Sequence, residues 1–175
     1  MGQRYFLSKK DYKNKIGIKN TLILKDVLTP KEAKELIEIQ TVIANEISEP
    51  ITILTEEGLT KKSPYRFKET IFCLAVKDSK CIGYGYGYIE DENKNTFYLD
   101  TIGVSREHRG EKIGTEIKVK LINHAFEKTN IIRIKAITQA DNKKTIHINM
   151  KLGFKRDKEE TIWARLFGIL KNLFS

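Results

Sequence analysis

The sequence predicts a single domain of mixed α/β class, in which a mostly antiparallel sheet is flanked by helices. Three observations lead to this prediction. The length of 175 residues suits one hydrophobic core. Strand-like and helix-like hydrophobic periods alternate along the chain. In the middle of the chain, three strand-like runs are separated only by short polar turns, which is typical of an antiparallel meander.

The first elements are a strand at residues 21–27 and a long helix that begins at Pro30. Thr29 can cap this helix, Pro30 suits its first position, and Glu32 completes a capping box. Helical spacing of apolar residues continues toward Pro50. A short helix is predicted after it, at residues 55–62.

The three strands of the meander are predicted at residues 71–76, 81–89 and 96–104. In the second of them, side chains alternate between the two faces of the sheet. Tyr84, Tyr86 and Tyr88 therefore share one face, while Gly85 and Gly87 share the other. The glycines leave room for another group to approach the backbone closely.

The second half of the chain continues with a helix at residues 114–128 and a strand at 131–137. The strand is rich in isoleucine, which predicts that both of its faces are covered. Asp141 and Asn142 can cap a last helix, and Gly153 ends it. Residues 161–166 fit a final strand, although the apolar residues around them also fit a helical stripe.

These elements divide the chain into a basic N-terminal extension (1–20), one domain (21–167) and a C-terminal tail (168–175). The extension is either a solvated end or an anion-binding arm. The apolar stretch from Trp163 to Phe174 admits three interpretations. It forms a strand and short helix that pack on the domain, a contact of a homodimer, or a membrane-surface helix.

A net charge of +9 favours anionic partners, such as a phosphorylated cofactor, nucleic acid or a membrane surface. Nucleic acid is disfavoured because the chain has no reader motif and no interleaving of aromatic and basic residues. No apolar run is long enough to span a bilayer, and no signal peptide is evident, so we expect a cytoplasmic protein.

The cysteine and histidine content predicts no metal site and no disulfide framework. Cys73 and Cys81 are the two cysteines, and both lie in apolar strands, where they are expected to be core residues. The three histidines, His108, His124 and His147, lack the spacing of metal ligands.

The stretch between the strand ending at Val104 and the next helix predicts a binding site for phosphate groups. The first turn of a helix has amide N–H groups without intrahelical partners and carries partial positive charge. Gly110 and Gly114 allow a phosphate to approach those amides, and Arg109 and Thr115 can add side-chain donors. The pattern is neither a Walker loop nor G-x-G-x-x-G, so by itself it also fits a tight turn.

Two stretches together resemble the GNAT superfamily of acyl-CoA-dependent N-acetyltransferases. The first is Arg109-Gly110-Glu111-Lys112-Ile113-Gly114, which follows Ile102-Gly103-Val104 and resembles the family's Arg/Gln-x-x-Gly-x-Gly/Ala motif at every defined position except the middle glycine. The second has Asn142 at a helix start and Leu152-Gly153-Phe154 at the helix end. The resemblance implies a GNAT-like fold, acetyl-CoA as cosubstrate without a metal, and transfer of its acetyl group to an amine of a small molecule or a protein.

The chemistry of the implied reaction and the resemblance together indicate the residues of the site. Asp100 is the first candidate for the base that deprotonates the amine, and Glu90 and Asp91 follow. A backbone N–H between Ile102 and Val104 can donate to the carbonyl oxygen of the thioester. The residues assigned to acetyl-CoA are Ile102, Gly103, Val104, Arg109, Gly110, Glu111, Lys112, Ile113, Gly114, Thr115 and Asn142.

Two residues depart from the family pattern. Lys112 replaces the middle glycine, which costs about 1 kcal/mol if the backbone there requires a positive φ. Asn149 stands where many members have a tyrosine that protonates the departing thiolate, and an asparagine has no such proton to give. The candidates to replace that tyrosine are Tyr84, Tyr86, Tyr88, His147 and water. His147 is expected to lie on a different side of the helix from Asn149, because the two residues are about 200° apart around the helix axis.

Three functions follow from these patterns. The first is transfer of acetyl groups to amines. The second, motivated by Asn149, is a catalytically weak acyl-CoA-binding regulatory domain. The third, motivated by the charge alone, is a basic nucleic-acid-binding module.

Overall fold

The computed structural model describes residues 2–13, 16–46, 54–60, 70–89, 95–127 and 130–157. Within these ranges the chain forms seven strands and four α-helices. In chain order they are β1 (Gly2–Ser8), β2 (Thr21–Lys25), α1 (Pro30–Glu46), α2 (Glu56–Thr60), β3 (Thr70–Lys77), β4 (Lys80–Ile89), β5 (Thr96–Val104), α3 (Ile113–Glu127), β6 (Arg133–Gln139), α4 (Lys143–Leu152) and β7 (Lys155–Arg156).

The strands form one sheet in the order β2-β3-β4-β5-β6-β1-β7. Neighbouring strands are antiparallel except for β5 and β6, which are parallel and are connected through α3. This architecture confirms the predicted mixed α/β domain with a mostly antiparallel sheet flanked by helices.

The helix ends that the sequence predicts are confirmed by their hydrogen bonds. At the start of α1, the Thr29 amide donates to Glu32 Oε2 (2.9 Å) and the Glu32 amide donates to Thr29 Oγ1 (3.3 Å). At the start of α4, Asn142 Oδ1 accepts from the Thr145 amide (3.0 Å). Gly153 ends α4 with a φ of 96°. A Cβ atom at this glycine would also collide with the carbonyl oxygen of Asp11.

Two hydrophobic cores lie on the two faces of the sheet. Tyr84, Tyr86 and Phe72 belong to the core under α1, as the predicted alternation of β4 requires. Gly85 faces α3 on the other side, where a Cβ atom would lie 2.6 Å from Ile117 Cγ2. At Gly85 the group that approaches the β4 backbone is therefore this helix, whereas at Gly87 it is the ring of Phe97 on β5.

Cys73 and Cys81 are buried free thiols, which confirms their prediction as core residues. Burial raises the pKa of Cys73 to about 12 and that of Cys81 to about 11. Both side chains are therefore neutral at physiological pH and unreactive as nucleophiles.

The predicted N-terminal extension is wrong for Gly2–Ser8, which form β1 between β6 and β7. Tyr5 and Leu7 alternate into the core, and both are at most 2% exposed.

The prediction that both faces of the isoleucine-rich strand, β6, are covered is also wrong. Its residues alternate between buried and exposed, with Ile137 45% exposed, because only one face packs on the core. The predictions for residues 161–175 lie outside the described residues.

Candidate functional site

A cleft opens where the two parallel strands of the sheet separate. The pairing of β5 with β6 runs from Thr96 with Arg133 to Leu99 with Ala136, and it ends there. Beyond this point β5 stays paired with β4, while β6 stays paired with β1. The divergence leaves a cleft of about 500 Å³ between the two strands, and the start of α3 and the start of α4 complete its walls.

A bulge in β5 lies on one wall of the cleft. Gly85 pairs with Ile102 and Gly87 pairs with Leu99, so β5 has one residue more than β4 in this interval. Asp100 and Thr101 are the residues of the bulge, and both line the cleft. The Asp100 side chain is exposed and its Oδ1 accepts a hydrogen bond from Thr101 Oγ1 (3.0 Å). A bulge redirects the backbone groups of its strand, and it commonly does so next to functional sites.

The loop before α3 presents unpaired backbone amides at the mouth of the cleft. The first amides that bond into the helix are those of Thr115 and Glu116, which both donate to the Lys112 carbonyl (2.9 and 3.1 Å). Within the described residues, none of the amides from Gly110 to Gly114 donates a hydrogen bond to another part of the chain. Such a cluster at the start of a 15-residue helix favours a negatively charged group, because the helix dipole adds to the donors.

The backbone of this loop twice adopts the left-handed conformation. Gly110 has a φ of 96° and Lys112 a φ of 66°. In general, alternation between right- and left-handed residues turns successive amides toward one side, and such a concave arrangement favours an anion. Glycine adopts this conformation freely, whereas the lysine side chain raises its cost by about 1 kcal/mol.

The side chains of the loop are partly engaged with one another and with α1. Arg109 Nη1 lies 2.6 Å from Glu46 Oε2, at the end of α1, and Arg109 Nε donates to the Val104 carbonyl (3.3 Å). His108 Nδ1 lies 3.1 Å from Glu111 Oε1. Of the loop residues from His108 to Lys112, all line the cleft except Glu111.

Most of the residues that the sequence analysis assigned to acetyl-CoA surround this cleft. The lining residues among them are Ile102, Val104, Arg109, Gly110, Lys112, Ile113, Gly114, Thr115 and Asn142. Gly103 instead packs toward the core under α1, where a Cβ atom would lie 2.5 Å from Tyr84 Cε1. Their roles in binding stay predictions.

The residues considered for acid–base chemistry lie in different places. Asp100 lines the cleft, whereas Tyr86 is buried in the core under α1, with its ring centroid 5.8 Å from that of Phe72. His147 is exposed on α4 and does not line the cleft. Glu90 and Asp91 lie outside the described residues.

A buried polar cluster beside the cleft was not predicted from the sequence. Lys118, on α3, lines the cleft and is only 5% exposed. Its ammonium group donates a hydrogen bond to Asn149 Oδ1, and Asn149 Nδ2 donates to Thr138 Oγ1 (3.1 Å). Burial lowers the pKa of Lys118 to about 8. The sequence does contain a signal for the burial of Lys118. This lysine lies four residues from both Gly114 and Ile122, and this spacing places it on the inward-facing stripe of the helix.

In the described part of the chain, the structure shows neither a cluster of metal-binding side chains nor a helix that could cross a membrane. Across residues 2–157, apart from the gaps given above, no group of three or more His, Cys, Asp or Glu side chains could hold a metal ion. None of the helices in these ranges combines the length and the hydrophobicity that a membrane crossing requires.

The sequence matches the family model described as "Acetyltransferase (GNAT) family" over residues 39–154. This match covers the meander, the loop before α3, the cleft and α4. A sequence search of curated proteins finds no significant match.

Solved structures of similar fold include several acetyltransferases. A tandem GNAT protein from the clavulanic acid biosynthesis pathway has a TM-score of 0.67 and 17% identity, over 89% of this chain and 50% of its own. This chain thus spans about half the length of that protein. A ribosomal-protein-alanine N-acetyltransferase from Brucella melitensis has a TM-score of 0.58 and 17% identity, over 76% and 84%. An aminoglycoside N-acetyltransferase in complex with CoA has a TM-score of 0.56 and 13% identity, over 77% and 91%.

Proposed function

The chain belongs to the acetyltransferase (GNAT) family, and from that premise we propose that it transfers the acetyl group of acetyl-CoA to a primary amine. The observation that carries the proposal is the cleft between β5 and β6 with the free amides of Gly110 to Gly114 at its mouth. Acetyl-CoA has a diphosphate, a long polar pantetheine arm and a thioester, and the cleft offers a complementary group for each.

The diphosphate binds at the amides before α3. These donors need no rearrangement, because none of them is used within the described part of the chain. Lys112, and Lys144 on α4, add positive charge around the cleft. Arg109 contributes its positive charge to the diphosphate only when its ion pair with Glu46 opens.

The pantetheine arm lies between the separated strands. The edges of β5 and β6 that face the cleft have no strand partner beyond Leu99 and Ala136. Their backbone groups can therefore hydrogen-bond to the amides of the arm, as an added strand would. Asn142 lines the same cleft and can bond the arm through its side-chain amide, since its Oδ1 already caps α4.

The acetyl group then lies near the bulge of β5. The amine must be neutral to attack the thioester, yet a free alkylamine is mostly protonated at neutral pH. Asp100 is an exposed carboxylate of the bulge and accepts the proton, directly or through a water molecule. A backbone N–H of the bulged segment donates to the carbonyl oxygen as it gains negative charge.

The acceptor is a primary amine of a small molecule or of a protein. Both classes occur among the acetyltransferases of similar fold, which include an aminoglycoside and a ribosomal-protein-alanine acetyltransferase. The positive net charge of the chain favours acceptors that also carry anionic groups. This preference separates anionic amines from polycationic ones in a substrate screen.

The proposal is tested by measuring thiol release from acetyl-CoA with panels of small amines, peptides and aminoglycosides. We expect release above background with at least one panel.

Binding of acetyl-CoA is tested by calorimetry. A variant Lys112→Glu should weaken this binding. The control variant Lys151→Glu should not, because Lys151 is an exposed lysine at the end of α4. Absence of binding would overturn the proposal.

Asn149 supports a second candidate, a regulatory domain that binds acyl-CoA without turning it over. This asparagine cannot protonate a leaving thiolate, and it is buried against Lys118 and Thr138. The same experiment separates the two candidates. Tight binding of acetyl-CoA, with no thiol release above background for any amine, would favour the regulatory domain.

A further inference from the structure

Lys118 is a buried cation without a compensating negative charge in the described part of the chain. It is 5% exposed, and no carboxylate in these ranges forms an ion pair with it. Its neighbours are the neutral side chain of Asn149 and the ring of Phe154, whose centroid lies 5.5 Å from Nζ. Burial of an unpaired charge destabilises a fold, and an apolar residue of similar volume would be more favourable here.

The position of Lys118 in the cleft indicates which ligand group would compensate its charge. The diphosphate site lies at the start of α3, and Lys118 is four residues beyond Gly114, about 6 Å further along the helix axis. Because α3 follows β5 in a crossover to a parallel strand, it runs back along the cleft, away from the mouth and toward the end where β5 and β6 pair. The thioester must lie in this deeper part, and the reaction creates a negative charge on its sulfur.

We propose that Lys118 is a catalytic residue that stabilises the CoA thiolate as it leaves and gives it a proton. The inference rests on the proposed acetyl transfer. When the tetrahedral intermediate collapses, the carbon–sulfur bond breaks and sulfur keeps the electron pair. Sulfur then takes a proton from Nζ, which leaves Lys118 neutral. The proton that the amine loses goes to Asp100, and exchange with water restores both side chains.

The chemistry of the cluster supports this role. Burial lowers the pKa of Lys118 to about 8, close to the value of about 8.5 for a free thiol, so the proton passes between them with little energy difference. Asn149 is a positioning residue, because its Oδ1 accepts from the ammonium while its Nδ2 donates to Thr138. The other titratable groups that line the cleft are Asp100, His108, Arg109, Lys112 and Lys144.

The first test measures the thiol pKa of bound CoA from the ultraviolet absorbance of its thiolate, with desulfo-CoA as the blank. In the wild type we expect this pKa to lie at least about one unit below that of free CoA. Lys118→Met should abolish the shift. Lys120→Met removes the same charge from the same helix outside the cleft, and it should leave the shift unchanged. An unchanged shift in Lys118→Met overturns the proposal.

The second test measures the kinetics of the same variants. Lys118→Met should lower kcat about 10²-fold or more, with little change in the KM for acetyl-CoA. It should also remove the alkaline limb that Lys118 contributes to the pH profile of kcat. Lys118→Gln stays polar but carries no charge, and it gives the same test if the methionine variant does not fold. A wild-type kcat in either variant overturns the proposal.

The outcomes distinguish this inference from the proposed function. If the wild type releases thiol but the pKa of bound CoA is not lowered, only the role of Lys118 is overturned. If no amine supports thiol release but the pKa is lowered, acetyl transfer is overturned and the thiolate-stabilising contact stands. If CoA does not bind, both are overturned.

Discussion

Arg109 and Glu46 join the loop before α3 to the end of α1, with 2.6 Å between Nη1 of the arginine and Oε2 of the glutamate. Both side chains are partly exposed, at 40% and 31%. Arg109 also lines the cleft. Under the proposed function, Glu46 therefore competes with the diphosphate of acetyl-CoA for the charge of Arg109.

Replacing Glu46 with glutamine should tighten the binding of CoA. The loss of the competing carboxylate frees Arg109, but the pair is partly solvated, so we expect a gain of only about 2- to 5-fold in affinity. Calorimetric titration with CoA measures it. Glu38→Gln removes the same charge from an exposed position of α1 and should change the affinity less. Equal or weaker binding in Glu46→Gln would refute the competition.

Replacing Lys112 with glycine should stabilise the fold. Lys112 has a φ of 66°, a conformation that costs a residue with a Cβ atom about 1 kcal/mol more than glycine. Thermal unfolding should show a rise in Tm of about 2–4 °C for a chain of this length. Lys112→Ala loses the same charge but keeps the Cβ atom, so it should show no such rise. A similar rise in both variants would assign the effect to charge instead.

Replacing Asp100 with asparagine should lower kcat/KM with the preferred amine by about 10²–10⁴-fold, because the amine would lose its proton acceptor. Asp100→Glu keeps a carboxylate and should lose less. The matched control is Asp78→Asn in the β3–β4 turn, since Asp78 does not line the cleft and asparagine tolerates its φ of 50°. Steady-state thiol release measures all three, and wild-type activity in Asp100→Asn would exclude this base.

The carboxylate of Glu116 should make stability depend on acid pH. It is buried, which by itself raises its pKa, but hydrogen bonds from the amide and side chain of Asn20 and the amide of Lys19 outweigh burial and lower it. A carboxyl group with a lowered pKa contributes stability above its ordinary value of 4.5, and this contribution disappears as the pH falls through the folded-state pKa.

Chemical unfolding of Glu116→Gln at several pH values checks this expectation. The variant should be less stable than the wild type by about 1–3 kcal/mol at neutral pH, because hydrogen bonds to a charged group are lost. The difference should shrink as the pH falls below 4.5, where the wild-type carboxylate is protonated in turn. A difference that stays constant with pH would show that the charge of Glu116 is not responsible.

The sequence predicted those parts of the fold that local interactions determine. The capping box of Thr29 and Glu32 and the cap of Asn142 involve residues three positions apart, so their residue types alone reveal them. The alternation in β4 is equally local. In contrast, β1 pairs with residues more than a hundred positions away, and the charges that follow it at Lys9 and Lys10 concealed its inward alternation.

The candidate site was predicted only in part for the same reason. The glycines before α3 and the cap of α4 mark the loop, but the bulge at Asp100 depends on the register with β4, and the cleft depends on where β5 and β6 stop pairing. Lys118 was missed because a search for an apolar stripe passes over a charged residue within it. Its burial becomes evident only when α4 brings Asn149 against it.

The most direct test of the account is a crystal structure of the chain with acetyl-CoA. We predict that the diphosphate oxygens lie about 3 Å from the amide nitrogens of Gly110 to Gly114, with the thioester between β5 and β6 near Asp100. A diphosphate bound elsewhere, with those amides turned to solvent or to other protein groups, would contradict the account.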